Sequence, residues 1–144
     1  MPATIIAIAD AIVAQLNATG FSQPLTAERH YLPRFELPEM TTLRVSVVPR
    51  SVVSKAFDRN RHAFDYRIDV AVQKRINPTE NLDAFMALVE EIADHFRTRL
   101  LAGFPQARCV EVENSPIYAP EHLEQFHQFT SVLTLTYRVW RGEL

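Results

Sequence analysis

The chain has 144 residues, enough for one domain, and residues 1–144 are expected to form a single α+β domain. Its 47% hydrophobic and 22% charged residues exclude a disordered chain and a coiled coil. The lone Cys109 excludes a disulfide framework and a multi-cysteine metal site, and a net charge of −2 supplies no field to gather nucleic acid or anionic lipid.

Residues 3–18 place Ile5, Ile8, Ala9, Ile12, Val13 and Leu16 on one stripe, which predicts an amphipathic helix. No basic segment precedes it and Asp10 interrupts it, so it reads neither as a signal peptide nor as a membrane span. Gly20 suits a left-handed cap. Between Pro24 and Pro33 the segment LTAERHYL alternates poorly, as an edge strand does.

Two strands follow. Leu43, Val45 and Val47 alternate with polar residues, and Phe64, Tyr66, Ile68, Val70 and Val72 do so more cleanly. One apolar and one polar face predict an antiparallel sheet covered on one side, with helices on the face of Tyr66, Ile68 and Val70. The connection between them, about 49–62, reads as a long basic loop, longer than the ~2–5 residues of most hairpins.

Asn77, Pro78 and Thr79 announce a second helix over about 81–100, with Glu80 and Asp83 near its positive end. Its predicted stripe is Leu82, Phe85, Met86, Val89, Ile92, Ala93 and Phe96. Arg97 and Arg99 fall in the last turn, and Gly103 and Pro105 stop it. A short strand over 108–113, a proline-bounded loop, and a last strand with Phe129, Leu133, Leu135, Tyr137 and Val139 on one face complete the chain. The fold class is therefore α+β in two layers: a mostly antiparallel sheet with two helices packed on one face.

Sequence signatures of catalysis are missing. There is no glycine-rich phosphate loop, no zinc-protease motif and no nucleophile elbow, and three glycines leave little room for a phosphate cradle. His30, His62, His95, His122 and His127 form no standard ligand pair, and His95 reads as a surface residue. Cys109 reads as a small, partly buried apolar residue. No catalytic residue, cofactor or metal is expected.

One regional bias remains. Arginine outnumbers lysine thirteen to two, and the 49–62 segment carries Arg50, Lys55, Arg59 and Arg61 with the apolar Val52, Val53 and Phe57. Three readings compete: a solvated loop, a protein-docking loop, or a nucleic-acid contact. The last is the weakest, because interleaved stacking aromatics are lacking.

In layout the chain resembles the tail terminator or tail completion proteins of long-tailed phages, grouped with minor tail and head–tail joining proteins. The likeness runs through TTLRVSVVPRS, KAFDRNRHA, FDYRIDVAVQKRI, the NPTEN start of the long helix and the final FTSVLTLTYRVW. It rests on pattern over most of the chain, without a catalytic signature. The resemblance implies a structural, non-enzymatic virion protein, made in the host bacterial cytoplasm and located in the tail or neck. Its partners would be itself in a ring, commonly hexameric, the tail tube protein and the head–tail connector. DNA would pass through unread, and no membrane would be involved. Arg50, Val52, Val53, Lys55, Phe57, Arg59 and Arg61 would then be the protein-interaction loop. The alternative is a small ligand-binding or enzymatic α+β domain, with a pocket between helices and sheet lined by His95, Tyr66 and Cys109. A third possibility is a dimeric adaptor, which differs in symmetry and partner.

Overall fold

The computed structural model describes residues 3–31, 43–77, 81–115, 117–121, 124 and 128–142. The elements in chain order are α1 (Thr4–Ala18), β1 (Thr26–Arg29), β2 (Arg44–Ala56), β3 (Arg61–Arg75), α2 (Asp83–Thr98), β4 (Arg108–Asn114) and β5 (Gln128–Gly142). The five strands make one sheet in the order β1-β2-β3-β5-β4. β1 runs parallel to β2 and every other pair is antiparallel. This is the expected α+β class.

The centre of the sheet follows from the cleanest alternation. β3 and β5 pair along their whole lengths, from Arg61 opposite Gly142 to Arg75 opposite Gln128. That register sets Tyr66, Ile68 and Val70 opposite Tyr137, Leu135 and Leu133, and all six are buried. Both helices cover this face. α1 contributes Ile8, Ile12 and Leu16, and α2 contributes Phe85, Leu88, Val89, Ile92 and Phe96. Each large apolar side chain buried there contributes about 1.5–3 kcal/mol before conformational entropy is subtracted. Leu88, absent from the predicted stripe, is fully buried, whereas Leu82 and Met86 are only partly so.

The connection at 49–62 is not a long loop. β2 continues through it to Ala56 and pairs with β3 down to Ala56 opposite His62, past a bulge between Pro49 and Ser51. Only residues 57–60 turn the chain. Asp58 organises that turn: its carboxylate accepts from Asn60 N at 2.8 Å and Arg61 Nε at 3.1 Å, while Phe57 N donates to Arg61 O at 3.1 Å. Those local bonds replace the glycine that tighter hairpins require.

Helix ends also differ from expectation. Neither Gly20 nor Gly103 adopts a left-handed conformation. α1 ends on extended Thr19, whose backbone N and Oγ1 both donate to Gln15 O, and α2 ends on extended Arg99. Gly103 instead permits close packing, since a Cβ there would lie 3.2 Å from Ala11 Cβ. α2 begins at Asp83, where Asn81 Oδ1 accepts from Asp83 N. Pro78, Thr79 and Glu80, expected to announce it, lie outside the described residues. The polar sheet face is drier than a one-sided sheet implies: Ser46, Val48, Ala71, Gln73 and Thr130 are buried.

Candidate functional site

β1 pairs with β2 only from Arg44 to Val47. Among the described residues, the rest of β2 has a neighbour on one side alone, and from Arg50 on no residue of it is buried. The far halves of β2 and β3, with the end of β5, form a ribbon tip that carries most of the sequence-predicted interaction residues. Phe57 and Trp140 are exposed to 52 and 46%, with exposed Val53 on their face of the ribbon and exposed Val52 on the other.

Cross-strand register assembles the tip. Val53 pairs with Asp65, Lys55 with Ala63, and Ala63 in turn with Trp140. The Phe57 and Trp140 rings approach to 4.9 Å between centroids. The guanidinium of Arg61 lies 5.7 Å from the Trp140 ring, and that of Arg138 lies 5.9 Å from both aromatic rings. Below them Asp65, nearly buried, accepts two hydrogen bonds from Arg138, at 2.8 and 3.0 Å, with Lys55 Nζ 3.8 Å away. The Arg138 bonds hold the Asp65 carboxyl below the usual carboxylate range against the opposing effect of burial. Asp58 is lowered too, by the Asn60 N–H and Arg61. On the helix side, Arg141 Nη2 bonds Thr4 Oγ1 at 2.6 Å and Tyr66 OH at 3.1 Å and lies over Phe64, tying the tip to the start of α1.

The structure thus groups Lys55, Phe57 and Arg61, with Val53 alongside, Val52 on the opposite face of the ribbon and Arg59 exposed in the turn. Arg50 stands apart. It reaches Asp69 at 3.5 Å and Thr134 at 3.4 Å on the polar face, in a groove shared with Arg67, Glu111, Glu113 and Thr136. Sequence reasoning missed Trp140, Arg138 and Asp65. Period-2 spacing put Arg138 and Trp140 on one face, but only the β3–β5 register brings them beside Phe57.

The residues of the alternative pocket are scattered. His95 is half-buried between the helices, not a plain surface residue: Gln15 Nε2 lies 2.8 Å from its Nε2, and Phe21 packs against the ring. Burial, then nearby Arg99, lowers its imidazole and favours the neutral form. The shallow groove there, lined by Phe21, Glu91, His95 and Arg99, includes neither Tyr66 nor Cys109. Burial pushes the Cys109 thiol up, the opposite of nucleophile activation, and raises the Tyr137 phenol beside it. Among the described residues no cluster of three metal-ligating side chains occurs, and no helix is long and apolar enough to cross a membrane.

No protein-family model matches the chain, and no curated protein does. One matching solved structure, whose name states no function, is 15% identical, covers 100% of this chain and 97% of its own, and superposes with a TM-score of 0.46. At that similarity it carries no argument about activity or partners.

Proposed function

We infer that the protein is a structural assembly protein of the phage tail-terminator or head–tail joining type. It would form a ring that caps the tail tube and docks to the head connector. The observation that carries this reading is the tip: a hydrogen-bonded strand ribbon that extends past its own core and ends in exposed Val53, Phe57 and Trp140 among arginines. Exposed aromatic and aliphatic side chains mixed with arginine are the composition of protein interfaces. The layout resemblance supplies the family. The separation of His95 from Tyr66 and Cys109, with the raised thiol, weighs against the pocket reading.

Sedimentation velocity over a range of concentrations, with electron micrographs of the same samples, tests it. A closed ring, alone or on purified tail tubes, is expected. A monomer or a two-fold dimer that never changes size and ignores tail tubes overturns the reading.

A further inference from the structure

Two exposed patches of opposite charge lie at opposite edges of the sheet. One is the tip, where Lys55, Arg59 and Arg61 lie around Val53 and Phe57 against a single acid, Asp58, at the turn. The other is the flank of β4. Residues 108–121 carry exposed Glu111, Glu113 and Glu121 against Arg108, with Arg50 and Arg67 across the groove from the first two, and Val110, Ile117 and Tyr118 are exposed to 46, 55 and 40%. No ion pair between described residues engages Glu111 or Glu113.

Their placement sets the symmetry. β1 stops at Arg29 opposite Val47, so the tip half of β2 is itself a sheet edge among the described residues, and β4 is the other edge. β3 and β5 lie between them, putting the two edges about 14 Å apart at the usual strand spacing. A bulge interrupts each edge strand, between Pro49 and Ser51 and between Cys109 and Glu111. Bulges and charge blunt indiscriminate strand pairing. Two tips repel each other, as do two flanks, whereas tip and flank attract. That pattern rejects tip-on-tip and flank-on-flank contacts, and patches on different edges of the sheet can engage two different neighbours, the head-to-tail arrangement that closes rings.

We propose that the basic, aromatic tip of one copy seats on the acidic β4 flank of the next copy. The proposal rests on the ring-forming reading above and identifies both sides of its repeated contact. Val53, Phe57 and Trp140 meet Val110, Ile117 and Tyr118, while Lys55 and Arg59 face Glu111 and Glu113. The apolar groups supply affinity, and the charges set register and reject like-with-like contacts.

Charge exchange tests it in the full-length protein. Lys55→Glu with Arg59→Glu reverses the tip, and Glu111→Lys with Glu113→Lys reverses the flank. Each double variant should weaken self-association by at least about tenfold in sedimentation velocity; because Lys55→Glu sets a second carboxylate near Asp65, recovery on mixing is the control for folding. An equimolar mixture should assemble again, because each reversed patch then meets its complement. The quadruple variant should assemble alone, and raised salt should weaken every assembling species. A misfolded variant cannot be rescued by mixing. Rings that survive both reversals overturn this contact and leave the ring reading standing. Loss of assembly on tip reversal alone shows that the tip meets a different surface of the next copy and overturns the proposal. Wild-type protein that is monomeric at every concentration and does not assemble on tail tubes overturns both.

Discussion

The two halves of the β2–β3 ribbon have the same backbone pairing and opposite fates. At the base, Val45 pairs with Val72 and Val47 with Val70, and all four are fully buried under the helices. At the tip, Val52 pairs with Tyr66 and Val53 with Asp65, yet both valines are exposed. Strand formation therefore does not require burial here. The base is held by apolar area removed from water, and the tip by ladder hydrogen bonds, a cross-strand ion pair and aromatic contacts on its own surface. A segment of the second kind can present a fixed shape to a partner without first paying to become ordered.

The largest expected difference between the halves is in stability. Ile68→Ala removes a fully buried side chain opposite Leu135 and should cost about 2–5 kcal/mol in a urea titration. Ile92→Ala on the facing stripe of α2 should fall in the same range. A loss below about half a kilocalorie at either would show that the helix-covered face is not the main core.

The same contrast explains what was legible in the sequence. Where one face is buried, each alternate residue must be apolar, and Phe64 to Val72 displays that period plainly. Past Pro49 neither face of β2 is buried, so nothing enforces alternation, and the bulge before Ser51 breaks the count. Pro49 stands where a central strand would break, but beyond β1 this strand is an edge, where proline is tolerated. The four-residue turn was hidden because the Asp58 side chain builds it, accepting from Asn60 N and Arg61 Nε, with no glycine. Lys55, Phe57 and Arg61 were legible as a composition. Their grouping with Asp65, Arg138 and Trp140 depends on register, which no single strand encodes.

An intermediate effect is expected at the ion pair inside the tip. Asp65→Asn leaves the Arg138 guanidinium without its charged acceptor, and breaking hydrogen bonds to a charged group should cost about 1.5–3 kcal/mol. The carboxyl is lowered in the folded state, chiefly by Arg138, so its contribution is present above the unfolded value near 3.8. It is lost as pH falls through the folded value, which lies lower still. The wild type should therefore lose stability between about pH 4 and the more acid folded pKa, and the variant should lose less over that window. Parallel acid titrations followed by circular dichroism read the difference, and identical acid profiles would show that the pair does not stabilise the tip.

The smallest expected change in stability is at the exposed valines. Val52→Ser and Val53→Ser remove apolar groups that already meet water at the end of the ribbon, so little transfer free energy is lost on replacing them. Serine costs some strand preference against valine, and the ladder bonds are backbone bonds that either residue makes. Together the two changes should shift the urea-derived stability by no more than about half a kilocalorie each. Phe57→Ser is a useful middle point, because its contact with Trp140 is worth about 0.5–1.5 kcal/mol. The same valine variants should nonetheless weaken assembly, since apolar area covered by a neighbour contributes about 25 cal/mol per Å². Stability and assembly thus separate at the tip and move together at the base, where unfolding abolishes both. If Val52→Ser unfolds the monomer as readily as Ile68→Ala does, the tip belongs to the core and the distinction between the halves fails.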